Sequence, residues 1–374
     1  MERTYLDAGG RAPVHPVARQ AYLAALDDGW ADPRRLHAEG RRARLLLDAA
    51  RESLAESIGV RTQELHLTPT HTAGLHAAVA GTARARRRSG TRMVVSAVER
   101  GAVLAAARAV DDAVALVPVD RLGRVDLDAW RAALVPGVAV AALQHANGEV
   151  GTRQPIDEAY EATQRAGAPL LVDAGASLGH VPVGPAWDLL AADPADWGGL
   201  PGIGLVAVRA RVRTSRVGPE DEDPWAPGGV SLPAVVAAAG SLRAVLADAQ
   251  VPDPRTALVE RIRARVAAEV PDVEVAGDAE DRLPHVVTFS CLYVDGEALV
   301  TELDRRGFAV GSGSACTAAS LEPSHVLAAM GLLTHGNVRI TLPRGVDPAA
   351  VERFCDELPL AVAAVRRMVG ATDL

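Results

Sequence analysis

The chain reads as an α/β protein in two parts: a mainly parallel sheet covered by helices on both faces, then a smaller α+β unit. Three observations predict this. Short apolar runs alternate with helix-period segments through roughly the first two thirds of the sequence, the pattern of strands buried on both faces. At 374 residues the chain is longer than one ordinary core supports, which favours a large unit and a small one. Finally, Pro252-Asp253-Pro254 interrupts the chain after a long helical stretch and reads as a hinge.

Taken in order, residues 17–26 carry helical apolar spacing and stop at Asp32-Pro33. Residues 41–58 place Leu45, Leu46, Leu47, Ala50, Leu54 and Ile58 on or near one helix face and close on Gly59. Strands are expected at 64–68, 93–96, 115–118, 138–143, 169–172 and 204–208, with helices at 73–85, 102–110, 127–134 and 156–166. Residues 217–230, rich in Pro, Gly and acid, read as a surface loop before a helix over 232–249. Beyond the hinge, strands are expected near 273–275, 285–290 and 338–342, and helices near 256–269, 296–306, 323–330 and 348–369.

Composition narrows the function. The apolar fraction of 49% suffices for a packed core, and a net charge of -8 argues against nucleic acid or an anionic membrane as partner. The run Arg84, Arg86, Arg87, Arg88 reads as a solvated helix end. The start, MERTYLDAGG, lacks the apolar stretch of a signal peptide, and no segment approaches the roughly 18 apolar residues that span a bilayer. A cytoplasmic protein is expected. Cys291, Cys316 and Cys355 are too widely spaced for a disulfide framework or a zinc knuckle; Cys291 and Cys355 read as core.

One absence outweighs the rest. All 39 residues counted as Lys+Arg are Arg. Arg replaces Lys where only charge is needed, but its guanidinium stays protonated and cannot act as an amine nucleophile. No side chain of this protein can form a Schiff base.

Seven stretches in order carry a family likeness: YLDAGGRAPV, SAVERGAVL, HANGEVGTRQPI, LLVDAGASLGHVPV, GLPGIGLVAVR, GFAVGSGSACTAASLEPSHVLAAMG and NVRITL, with RRLHAEGRRAR and VDGEAL between. The sequence resembles the cysteine desulfurases of the class V aminotransferase family from end to end. The resemblance implies fold type I of the pyridoxal-phosphate enzymes, with a seven-stranded type of sheet. It implies a large domain over 15–250 and a small one over 1–14 and 251–374, usually in a homodimer with its site at the subunit interface. Active members of that family bind L-cysteine through pyridoxal phosphate and pass its sulfur to a mobile cysteine, leaving alanine and an enzyme persulfide.

Matched to the family's positions, much of that apparatus is missing here. The cofactor lysine falls on Asp196, in Asp193-Pro194-Ala195-Asp196, where the phosphate-binding serine and the adjoining histidine are also lost. The histidine that stacks on the pyridine falls on Arg100, the asparagine near the ring hydroxyl on Gly148, the neighbouring glutamine on Ala176, and the partner subunit's phosphate-binding threonine on Gly229. The phosphate loop reads Thr68-Pro69-Thr70-His71-Thr72-Ala73, in which only Thr72 keeps its hydroxyl.

Other positions survive. Asp173 matches the acid that pairs with the pyridinium nitrogen, or it is a strand-end carboxylate of structural value. Buried there it needs a partner, and Arg100 is the expected one. Cys316 matches the sulfur-accepting cysteine, the alternative being a small buried apolar residue. Arg339 matches the arginine that clamps the substrate carboxylate, the alternative being an ion pair inside the small domain. Gln154 matches a family turn position and is assigned no chemistry.

The sequence therefore leaves several functions open. One is a pseudoenzyme that serves as a binding, regulatory or heterodimeric partner of an active desulfurase in sulfur or iron-sulfur metabolism. Another is a persulfide relay through Cys316, fed by a sulfur donor protein. A third is an active cysteine desulfurase or class V aminotransferase using pyridoxal phosphate noncovalently. The last is new chemistry from His71, Asp196 and Arg100. No covalent cofactor and no metal are expected.

Overall fold

The structure, a computed structural model, describes residues 3–215, 217, 223–249, 251–312 and 323–368. After β1 (Thr4–Tyr5) come two helices, α1 (Pro16–Asp28) and α2 (Ala38–Ile58), the second closed by Gly59 in the left-handed conformation. Strands and helices then alternate: β2 (Leu65–Thr68), α3 (His71–Arg86), β3 (Arg92–Ser96), α4 (Gly101–Arg108), β4 (Ala115–Val117), α5 (Leu127–Ala133), β5 (Val138–Gln144), α6 (Ile156–Ala166) and β6 (Leu170–Asp173). The series ends with β7 (Leu189–Ala192), β8 (Gly204–Val208) and α7 (Leu232–Ala247).

These strands form one seven-stranded sheet in the order β2-β8-β7-β6-β5-β3-β4. Pairing is parallel from β7 through β6, β5 and β3 to β4, while β8 runs antiparallel to both its neighbours. The sheet is thus mainly parallel, as the apolar runs predict, with a reversed strand near one edge. Period-two alternation divides its side chains between two cores. Leu170, Val172, Leu205 and Ala207 pack with Leu54, Trp130 and Leu242 on one face. Leu171, Val206 and Val208 pack with Leu75, Val79 and Val103 on the other.

The remaining chain adds α8 (Arg255–Glu269), β9 (Val273–Val275), β10 (Val286–Cys291), α9 (Gly296–Arg305), β11 (Phe308–Ala309), α10 (His325–Met330), β12 (Asn337–Thr341) and α11 (Pro348–Met368). An antiparallel three-stranded sheet, β12-β10-β9, packs with α8, α9 and α11 around Val259, Ile262, Phe289, Leu303, Phe354 and Leu358. The start of the chain belongs here: β1 pairs in parallel with β11, and Leu6 is fully buried in this core. Among the described residues no helix is long and apolar enough to cross a membrane.

The site is positioned by the carboxyl ends of the parallel strands, where open α/β sheets present their crevice. Asp173 is the last residue of β6. Arg100 lies four residues beyond β3 at the start of α4, and His71 opens α3 just after β2. Gly204 allows this closeness, since a Cβ there would sit 2.5 Å from the His71 amide nitrogen and 2.6 Å from Thr68 Oγ1.

Candidate active site

Asp173 lies in the middle of the large sheet, opposite Gln144 on β5 and Ala191 on β7, and is 5% exposed. Its carboxylate is fully engaged. Oδ1 is 2.9 Å from His71 Nε2 and accepts from the Gly175 amide at 2.8 Å, while Oδ2 accepts from Arg100 Nε at 3.1 Å. A carboxylate offers only acceptors, so the His71 proton sits on Nε2, leaving its buried Nδ1 without a partner. Burial alone would raise the Asp173 pKa, but His71 and Arg100 outweigh it and hold the carboxyl well below its usual range. Arg100, though desolvated, has its own pKa raised by Asp173, Asp193 and Asp196. Packing is tight, since a Cβ on Gly175 would lie 2.6 Å from His71 Nε2 and 3.1 Å from Arg100 Nη2.

Next to this triad, Glu99 is fully buried, with Oε1 accepting from the Gln144 amide at 2.5 Å and Oε2 unpartnered. Burial, and then the nearby Asp173 charge, push its pKa up to about 8. Gly148 and Ala176, two positions where the resemblance expects ring contacts, lie against each other, with a Gly148 Cβ only 3.1 Å from Ala176 Cβ.

Asp196, where the resemblance expects the family's lysine, takes a different direction from Arg100 and His71. It sits in a short turn, Pro194–Trp197, is 3% exposed, and accepts from the Gly10 amide at 2.9 Å. Its Oδ2 lies 3.0 Å from His180 Nε2, but that ring nitrogen hydrogen-bonds the Asp196 backbone carbonyl at 3.1 Å and the buried Oδ2 has no hydrogen-bond donor. His180 Nδ1 faces two guanidinium groups, Arg255 Nη2 at 3.1 Å and Arg344 Nη2 at 3.4 Å. Both are obligate donors, so the His180 proton belongs on Nε2 and the ring is neutral. His285 stacks on His180 with centroids 3.9 Å apart, and its pKa is pushed far down by burial and then by His180, Arg255 and Arg344.

His180, Asp196 and His285 bring metal-ligating atoms within 4.8 Å of one another. The hydrogen bonds nevertheless have the wrong polarity for a metal. A coordinating imidazole donates its second N–H to an acceptor, whereas here that nitrogen receives donors. The sequence reading overlooked this cluster because its members lie 105 residues apart at the extremes, without motif spacing. It missed the His71–Asp173 contact for the same reason.

The other expected site residues are more scattered. Thr72 is exposed in the first turn of α3, where Thr70 caps the helix by accepting from the Ala73 amide at 3.0 Å. Arg339, on β12, donates from Nη2 to Asp7 Oδ1 at 3.1 Å, an ion pair inside the second core. Gly229 is exposed. Cys316 lies outside the described residues. Cys291 and Cys355 are buried, their thiols pushed up to about 12 and about 11 by burial, which makes them core residues rather than nucleophiles.

Seven strands in this order, with an acid at the end of a central strand and a second α+β core carrying the chain's start, define the fold-type-I architecture. Comparison with solved structures gives the same result: a NifS-like protein superposes with a TM-score of 0.86 over 96% of this chain and 98% of its own, at 21% identity. A cysteine desulfurase from Thermococcus onnurineus NA1, solved in its apo form, follows at 0.83 over 97% and 95%, at 19% identity. The sequence profile of "Aminotransferase class-V" matches residues 4–236 and 227–354, and the chain belongs to that family. Within it the chain is cysteine desulfurase-like. It is 34% identical to a cysteine desulfurase of Cereibacter sphaeroides, covering 98% of both chains, and 30% identical to one of Trichormus azollae, covering 98% of this chain and 95% of that one.

Proposed function

We propose that this protein is a cysteine desulfurase-like pseudoenzyme, which keeps the family's fold as a binding or regulatory partner in sulfur or iron-sulfur metabolism. The observation that carries this reading is the closed Asp173 triad. The acid that would face a pyridinium nitrogen is already satisfied by His71, Arg100 and the Gly175 amide. With Asp196 in place of the lysine and tied to Gly10 and His180, the residues present do not fit pyridoxal phosphate. Noncovalent use of the cofactor by an otherwise active desulfurase is disfavoured on the same ground, because several contacts each worth about 1 kcal/mol are missing together.

The test is to add pyridoxal phosphate to the purified protein and follow both the bound-cofactor absorbance and alanine release from cysteine. Neither is expected. Turnover at an enzymatic rate would refute the reading.

Within this reading, Cys316 in Gly313-Ser314-Ala315-Cys316 is the candidate for a persulfide relay, with Arg339 and Thr72 as remnants of substrate and phosphate binding. Incubation with a persulfide donor and intact-mass measurement separates relay from pure binding, since an unmodified Cys316 leaves only the latter. Pairing with a second copy or with an active relative is supported by exposed apolar side chains between and on α1 and α2: Trp30 is 71% exposed, Leu36 87% and Leu45 71%. The separate cores support a division into residues 15–250 and residues 1–14 with 251–374. We place the protein in the cytoplasm, a reading its similarity to cysteine desulfurases supports.

A further inference from the structure

A cavity of about 440 Å³ opens behind Asp196, between the segment leading into α1, the hinge before α8 and the end of β12. We propose that it binds a small primary amine in its ammonium form, held by Asp196 Oδ2 and His285 Nδ1. This inference is independent of the pseudoenzyme reading. The volume lies within the range of small-molecule sites, and such sites combine apolar walls with a few convergent polar groups. Here Ala12, Val14, Trp197, Val245 and Leu342 line the walls, which suits an amine with a small apolar body.

Two polar atoms on this lining lack partners. Asp196 and His285, each 3% exposed, both line the cavity, and neither Asp196 Oδ2 nor His285 Nδ1 has a hydrogen-bond partner. Orphaned polar atoms in buried side chains call for a missing partner. For Asp196 that partner is a donor, since a carboxylate only accepts. His285 can accept as well: burial, and then His180, Arg255 and Arg344, keep its ring neutral, with one nitrogen free to receive a proton donor. A carboxylate oxygen of Asp196 and a ring nitrogen of His285 lie within 4.8 Å of each other. One tetrahedral nitrogen spans that gap when it donates to both at about 2.9 Å. His180, the third member of the cluster, offers no lone pair, because its Nδ1 already accepts from Arg255 and Arg344.

The charges around the cavity set the sign of the ligand. Asp196, Asp248 and Asp253 stand on the lining against Arg255 and Arg344, three carboxylates to two guanidinium groups. Asp253 is matched by Arg255 at 2.7 Å. Arg344 turns its Nη2 to the Gly179 carbonyl and to His180 Nδ1, not to Asp196. Asp248 is exposed and has no ion pair among the described residues. The lining is therefore left with an excess of one negative charge, beside a buried carboxylate oxygen without a donor. A monocation that brings N–H groups answers both needs, whereas a buried water supplies a donor but no charge.

The experiment is calorimetric titration of the full chain at neutral pH with benzylamine, benzyl alcohol and benzyltrimethylammonium. The first carries both the charge and the N–H donors, the second lacks the charge and the third lacks the donors. Benzylamine is expected to bind saturably, and the other two at least tenfold more weakly. Asp196→Asn is expected to weaken benzylamine at least tenfold. His285→Phe, which keeps a ring stacked on His180 but removes the acceptor, is expected to weaken it at least fivefold. Absence of benzylamine binding, equal binding of either analogue, or equal binding by either variant overturns the proposal. If both variants fail to fold, Ala12→Trp fills the cavity and leaves both acceptors in place; loss of benzylamine binding then supports the site, and retained binding overturns it.

Discussion

Asp173 is an anion surrounded by cationic and N–H donors inside a sheet, so removing its charge costs more than its hydrogen bonds are worth. Asp173→Asn takes the anion from buried His71 and from the partly exposed Arg100, and is expected to destabilise the fold by about 2 kcal/mol in urea unfolding. The pH dependence carries two signs. A carboxyl held below its ordinary pKa adds stability that is complete above about pH 4 and is lost as pH falls further; Asp173 should therefore dominate acid denaturation. Glu99, pushed up to about 8, does the reverse: its stabilising neutral form is complete below about pH 4 and is lost as pH rises through 8. Glu99→Gln should flatten the alkaline limb, gaining roughly 1–3 kcal/mol near pH 9 by the same urea assay. At this scale the sequence was partly legible. A buried acid needs a counter-charge, which pointed from Asp173 to Arg100. His71 is a candidate polar group in the sequence but without an assigned partner, and His180 is not singled out at all, because a lone histidine gives no hint of a partner 102 or 16 residues away.

The turns after the strands carry the next level of constraint. Gly175→Ala would drive a Cβ into His71 and Asp173, at 2.6 and 2.9 Å. It is expected to cost about 2 kcal/mol and to shift the His71 ring resonances in NMR, because overpacking here displaces the triad. Thr70→Ala removes the α3 cap and should cost about 1 kcal/mol with the triad intact. Most elements could be read from periodicity: 156–166, 204–208 and 273–275 agree residue for residue with Ile156–Ala166, Gly204–Val208 and Val273–Val275. The strands not expected include β11, only two residues long, and β7, Leu189-Leu190-Ala191-Ala192, which has no β-branched or aromatic residue and no alternation. β7 is a strand because β6 and β8 flank it, a tertiary cause that local composition does not carry.

For the whole molecule, the departures from the family resemblance involve several side chains at once, so restoring one residue should not restore the chemistry. Asp196→Lys supplies the amine but leaves the Asp173 triad closed, and no bound-cofactor absorbance is expected on adding pyridoxal phosphate; its appearance would mean the triad opens easily. The exposed apolar side chains give a second test. Trp30→Glu with Leu45→Glu should convert an associated species to one of 38.9 kDa in light scattering, with unchanged circular dichroism. The overall architecture was the most legible feature, because alternation and seven ordered motifs agree over the full length. A cavity lined by residues as far apart as Ala8 and Gly345 was illegible, because no local pattern links them.

The parallel pairing of Thr4–Tyr5 with Phe308–Ala309, continued by the bridge from Asp7 to Thr341, has a consequence for biosynthesis. A nascent chain emerging from the ribosome can complete its seven-stranded sheet while its first residues still wait for partners some three hundred positions downstream. Until those arrive Leu6 has no hydrophobic cover, and the loop that must close is nearly the whole polypeptide. The second core is thus the last to form, and the amino-terminal strand is the point at which a chaperone or a protease meets the unfinished protein.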